Sequence, residues 1–170
     1  MGEDSASHRK SGEVLPSGLG KPPSKERVRG RIGVLLAQHE ELDELFLLHQ
    51  EALLDRDLNR ARELLQQYRV LVATHIEEER SELLPIYASF GEAPRGADVE
   101  LFHSEHEKIL ARLVQLEHSM ERLAARSPQS TRDLIAIFDG ESSFKHLMEH
   151  HDLRERRFFF PALESWCADS

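Results

Sequence analysis

Cysteine occurs once in the 170 residues, as Cys167, so a disulfide framework and a cysteine-based zinc site are both excluded within one chain. Long apolar runs are missing as well. Stretches such as Val34–Ala37 and Phe158–Phe160 fall far below the roughly 18 residues that a membrane span needs, and no apolar block follows Met1 to act as a secretory signal. A soluble, cytoplasmic protein without a membrane partner is expected. Positive charge is in deficit, with 22 Lys and Arg against 31 Asp and Glu and a formal charge of −9. Phosphate binding needs a basic surface, so no nucleic-acid partner is expected. Aromatic residues make up 6%, and Gly and Pro are sparse beyond the first 27 residues, which leaves little strand or turn signal.

What is present is helix-forming sequence. The length suits one domain. Residues 1–27 are rich in Gly, Ser, Pro and charge and read as a flexible tail. Residues 28–165 read as the folded domain and 166–170 as a C-terminal tail. Apolar residues recur at three and four, which predicts four helices, at about 29–54, 58–88, 98–125 and 129–163. Their inward stripes are Ile32, Leu35, Leu42, Phe46 and Leu53, then Leu64, Tyr68, Leu71 and Val72. Val99, Phe102, Leu110, Leu113 and Met120 follow, and last Ile137, Phe144, Leu147 and Phe158. Asp55 or Asp57 caps the second helix, residues 90–96 form a loop, and Ser127-Pro128 breaks the chain before the fourth. Short connections favour an all-α, antiparallel up-down-up-down four-helix bundle.

Ten histidines are the odd feature of the composition, and histidine is the commonest metal ligand. They lie in an internal repeat. His75-x-x-x-Glu79, followed by Leu83-Leu84-Pro85, matches His151-x-x-x-Glu155 followed by Phe159-Phe160-Pro161. His39-Glu40-Glu41-Leu42 on the first helix has its counterpart in His106-Glu107-Lys108-Ile109 on the third. A His and a Glu four apart share one helix face and can hold one metal together, although a single such pair occurs in many helices as a surface hydrogen bond.

The face decides. At about 100° per residue, Leu35, Leu42 and Phe46 lie within roughly 60° of His39, and the apolar stripes of the other helices surround His75, His106 and His151 likewise. Glu79 and Glu155 fall about 40° from their histidines. Six polar side chains therefore point inward, at several kcal/mol per unpaired charge unless a metal removes the cost. His146 and His150 lie about 100–140° away and face outward. His49 is about 15 Å along the helix from His39 and reads as a boundary residue, with His118 equally displaced from His106 and His8 in the tail. His103, one turn from His106, is a candidate fifth ligand or a partner of one. Pro85 and Pro161 remove a helix hydrogen bond each, and should bend or end the helix beyond each Glu.

Over about residues 30–164 these motifs resemble the hemerythrin-like family, the HHE cation-binding domains. The resemblance implies a four-helix bundle around a non-haem di-iron centre, with Glu79 and Glu155 bridging and His39, His75, His106 and His151 as terminal ligands. The third and fourth helices depart from the oxygen carriers of that family, which have His-x-x-x-His and His-x-x-x-x-Asp where this chain has His103-x-x-His106 and His151-x-x-x-Glu155. The four-His, two-Glu set is closer to the branch that repairs iron centres, though the tail lacks that branch's cysteine. Three functions stay open. The first is a di-iron protein that binds dioxygen, nitric oxide or peroxide for storage, sensing or scavenging. The second is a stress enzyme that reduces nitric oxide or peroxide or repairs iron–sulfur centres, although no separate general acid or base is identifiable. The third is a structural or zinc-holding partner module, since manganese and zinc accept the same ligand types as iron.

Overall fold

The computed structural model describes residues 23–126 and 130–169, and its regular elements are all helical. Helix α1 (Lys25–Leu54) begins where the Ser24 side chain accepts the Arg27 amide at 3.3 Å, a helix cap. Along it Val28, Ile32, Leu35, His39, Leu42, Phe46, His49 and Leu53 recur at steps of three and four and are all buried. One stripe therefore faces inward for the whole length. Residues 25–27, expected in the tail, thus belong to α1; residues 1–22 of that expected tail lie outside the described residues.

Asp57 rather than Asp55 caps α2 (Leu58–Glu78), accepting the Arg60 amide at 3.0 Å. Past α2 the chain makes one wide π-helical turn, Glu79–Leu83, and then a short α3 (Leu84–Ala88). Asp98 caps α4 (Val99–Ala124). Ser130 and Asp133 form a reciprocal capping box at the start of α5 (Thr131–Arg154), two residues later than expected. Residues 127–129, with the expected Ser127-Pro128 break, lie outside the described residues. A second π turn, Glu155–Phe159, leads into α6 (Phe160–Ala168).

Of the two outcomes expected at the prolines, a bend or an end, the chain shows an interruption of the α-helix by a widened turn, after which helix resumes. The Leu84 amide donates to the Glu79 carbonyl and the Phe160 amide to the Glu155 carbonyl, a step of five instead of four. Each proline then sits in the first turn of the following helix, where a missing N–H costs little. Both wide turns start at the two glutamates of the repeat, and such turns re-aim side chains at functional sites. The C-terminal tail is likewise shorter than expected. Cys167 is buried and donates from Sγ to the Lys25 carbonyl at 3.4 Å, while Trp166 packs against the core and lies 5.3 Å from Lys25 Nζ.

Helix α1 packs on α2 and α6, α2 on α4, and α4 on α5. The apolar interior falls into two clusters. One holds Leu42, Phe46, Tyr68, Ile76, Ile109, Leu113 and Phe144; the other holds Ile32, Leu35, Leu83, Leu84, Phe102, Phe159 and Leu163. Each long helix, α2 and α5 together with the π turns that extend them, passes from one cluster to the other, and at the crossing it carries a histidine or glutamate: His39 between Leu35 and Leu42, Glu79 between Ile76 and Leu83, His106 between Phe102 and Ile109, and His151 and Glu155 between Phe144 and Phe159. A polar layer thus lies between two greasy ones. No helix among the described residues is long and apolar enough to cross a membrane.

Candidate metal centre

His39, His75, Glu79, His106, His151 and Glu155 are all buried, none more than 7% exposed. Their donor atoms converge in two overlapping groups. One consists of Glu79, His106, His151 and Glu155, the other of His39, His75 and Glu155. Glu155 serves both: Oε1 lies 2.7 Å from His151 Nε2, and Oε2 lies 3.1 Å from His39 Nε2. Glu79 divides in the same way, with Oε1 3.4 Å from His75 Nε2 and Oε2 3.1 Å from His106 Nε2. His39 Nε2 and His75 Nε2 stand 3.1 Å apart.

His39 and His75 share a hydrogen bond through Nε2, but the other donor atoms are close as charges yet poorly aligned as hydrogen bonds. Both oxygens of Glu79 and Glu155, both nitrogens of His106, and Nε2 of His151 are buried with no hydrogen-bond partner among the described residues. Buried polar atoms are nearly always paired. Lone pairs that aim at a shared point instead of at each other fit a cation at that point, so these side chains can hold a metal ion. Nitrogen and carboxylate oxygen without sulfur suit iron, manganese or zinc.

The outer ring nitrogens explain how the histidines are held. His75 Nδ1 donates to Gln38 Oε1 at 2.9 Å, His151 Nδ1 to Glu105 Oε2 at 3.0 Å, and His39 Nδ1 to Asp152 Oδ1 at 2.5 Å. Each bond fixes a ring so that Nε2 faces the polar layer, as is usual for metal-binding histidines. Arg154 in turn pairs with Glu105 and donates from Nε to the Gly96 carbonyl at 2.9 Å. Gly96 has φ +80°, a left-handed conformation that suits glycine, and this aims its carbonyl at the arginine.

Without metal, protons take the cation's place. Burial works against a charge on His39, but Asp152 and Glu155 outweigh it and raise the ring from 6.5 to about 9. For His151, burial is again outweighed, here by Glu155 and Glu105, and the ring rises to about 10. Burial would raise Glu155, yet His151 and His39 hold it well below the ordinary carboxylate range. Asp152 and Glu105 are lowered too, each against burial, by His39 with Arg156 and by His151 with Arg154.

His103 is half-buried, its Nδ1 has no hydrogen-bond partner among the described residues, and it is not among the converging donors. His118, His146 and His150 are exposed, the last two 3.1 Å apart through Nε2. His49 corrects the boundary reading. It is wholly buried, donating or accepting at 2.7 Å with the Ala61 carbonyl through Nδ1 and pairing at 2.8 Å through Nε2 with Glu141, itself buried. The sequence reading also missed Gln38, Glu105 and Asp152. Each adjoins one of the inward histidines in the chain, about 100° round the helix, and adjacency at the stripe's edge was the available signal. Compared with protein-family models, curated proteins and solved structures, the chain matches none.

Proposed function

We propose that the polar layer is a di-iron centre of hemerythrin-like type in an antiparallel up-down-up-down bundle, and that the protein binds dioxygen, nitric oxide or peroxide for storage, sensing or scavenging. The observation that carries this reading is the division of each glutamate. One oxygen of Glu79 and one of Glu155 face the His39–His75 side, and the other two face the His106–His151 side. That is the disposition two bridging carboxylates between two ions require, each ion having two imidazoles of its own. The bundle topology is supported by the alternating order in which successive helices meet the two apolar clusters. Two irons held there supply redox chemistry and an open coordination position for a small ligand. The chain's own part is to fix the rings through Gln38, Glu105 and Asp152, and to exclude water with the apolar clusters on both sides.

The test is metal analysis of protein purified from iron-replete cells, with an ultraviolet–visible spectrum before and after azide and air. About two irons per chain with near-ultraviolet bands is the expected result. Iron-free protein, or one zinc per chain, would overturn it in favour of a structural or zinc-holding module. Turnover of nitric oxide or peroxide by the iron-loaded protein would instead select the stress-enzyme reading.

A further inference from the structure

The six inward donors are sealed on most sides. Five are no more than 3% exposed, and His39, at 7%, is the most exposed of the set. His39 also lines an open groove of about 540 Å³ between α1 and α5, which none of the other five lines. The groove's lining includes the bonded pair of His39 and Asp152. Its wall carries Glu40, Asp43, Glu44 and Glu149 besides Asp152, against a single lysine, Lys145. Its apolar part includes Tyr68, a ring 3% exposed whose hydroxyl makes no hydrogen bond among the described residues.

We propose that this groove is the path by which a divalent cation reaches the polar layer, an inference that rests on reading that layer as a metal centre. Carboxylates around a cleft of low dielectric raise the local concentration of cations and speed their arrival. A neutral diatomic gains nothing from such a field. The unpaired Tyr68 hydroxyl suits the water carried by a hydrated ion better than an apolar guest. Asp152 uses Oδ1 for both His39 and Arg156, so Oδ2 is left to receive the cation beside His39, the one inward donor that lines the groove.

The experiment is the loading of the metal-free protein with cobalt(II), followed by visible absorption in a stopped-flow instrument, with final metal content measured separately. The variant Glu40→Gln/Asp43→Asn/Glu149→Gln removes three groove charges and no donor of the centre. The control Glu100→Gln/Glu107→Gln/Glu121→Gln removes as many exposed charges from α4. The groove variant is expected to load about tenfold more slowly than the unaltered protein at low salt, to the same final content. The control should load at close to the unaltered rate, and added salt should slow the unaltered protein far more than the groove variant. Equal slowing in both variants, or an unchanged rate in the groove variant, overturns the path while leaving the metal centre intact. If the unaltered protein takes up no cobalt, the metal centre falls and the path with it.

Discussion

Asp152 Oδ1 lies 2.5 Å from Nδ1 of His39, so the residue that follows His151 in the chain steadies a histidine on a different helix, more than a hundred positions away. The internal repeat gives this contact a context. Gln38 and Glu105 each precede the first histidine of a hairpin and each hold the second, His75 and His151. Asp152 follows the second histidine of its hairpin and reaches across to the other. Its counterpart is Ile76, which has no polar group to offer, and Nδ1 of His106 has no hydrogen-bond partner among the described residues. The two halves of the polar layer are therefore alike in their inner donors and unlike in their support.

Loss of these outer partners should loosen the metal without abolishing the fold. Gln38→Ala and Glu105→Ala are expected to weaken metal affinity by about 10- to 100-fold, because the ring loses its fixed tautomer and orientation. Competition with a chelator of known affinity measures this. Ile76→Val changes volume without touching a ring nitrogen and should leave affinity as it is. A loss as large from Ile76→Val would mean that the layer responds to packing and not to the outer hydrogen bonds.

Substitution of an inner donor should cost the metal outright. Glu79→Ala and Glu155→Ala each remove an oxygen from both sides of the layer, and metal content should fall to a small fraction of that of the unaltered protein. His146→Ala should retain full content, since His146 is exposed and turned from the layer. Metal analysis of the three purified variants decides it, and equal loss from His146→Ala would refute the argument from helix faces.

The inward direction of His39, His75, Glu79, His106, His151 and Glu155 was legible because it depends on one helix at a time: a 3.6-residue period and the neighbouring apolar residues suffice. Gln38, Glu105 and Asp152 were not, because each serves a ring on another helix, and that depends on how two helices are rotated against each other. His49 failed for a different reason: it sits on the α1 stripe between Phe46 and Leu53, so its inward direction was legible, and only its partner was not. That partner, Glu141, is 92 residues away on α5, and the pairing depends on how the two helices meet. The π turns were hidden behind Pro85 and Pro161. A proline says that one hydrogen bond is lost, but whether the chain stops or widens by a residue depends on tertiary packing, here Leu83, Leu84, Phe159 and Phe160 in one apolar cluster.

The metal-free protein should lose stability as pH rises above neutrality. His39 and His151 titrate near 9 and 10 when folded, against about 6.5 unfolded. Their contribution is fully present below about 6.5 and is lost as pH climbs through the folded values. Glu155, Asp152 and Glu105 are shifted down; their contribution is present above the ordinary carboxylate range and disappears as pH falls below it. A metal competes with the two imidazole protons, so loading near neutral pH should release protons, and affinity should rise with pH up to about 10. Melting temperature against pH, with and without metal, checks this: the alkaline decline should be confined to the metal-free form. An alkaline decline of equal size in loaded protein would show that it originates elsewhere in the molecule.

His49 and Glu141 supply the contrast that separates fold from site. They join α1 to α5 inside the apolar cluster that holds Phe46 and Phe144, with Glu141 Oε2 also accepting from Gln50 at 2.9 Å. Removing either residue strands one buried atom of the other, Oε1 of Glu141 or Nε2 of His49, while the bonds to Gln50 and to the Ala61 carbonyl remain, so His49→Leu or Glu141→Leu alone should lower stability by about 3 kcal/mol. The double variant, which removes both ends of the bond and fills the space with carbon, should recover much of that loss. Neither change touches the polar layer, which lies about 15 Å further along α1, so metal content should hold in every variant that folds. Urea unfolding of the metal-free proteins gives the energies, and metal analysis gives the content. A double variant as unstable as the sum of the singles would mean that each side chain acts through packing alone. Loss of metal from the folded double variant would mean that the pair sets the register of α1 against α5 on which His39 and His151 depend.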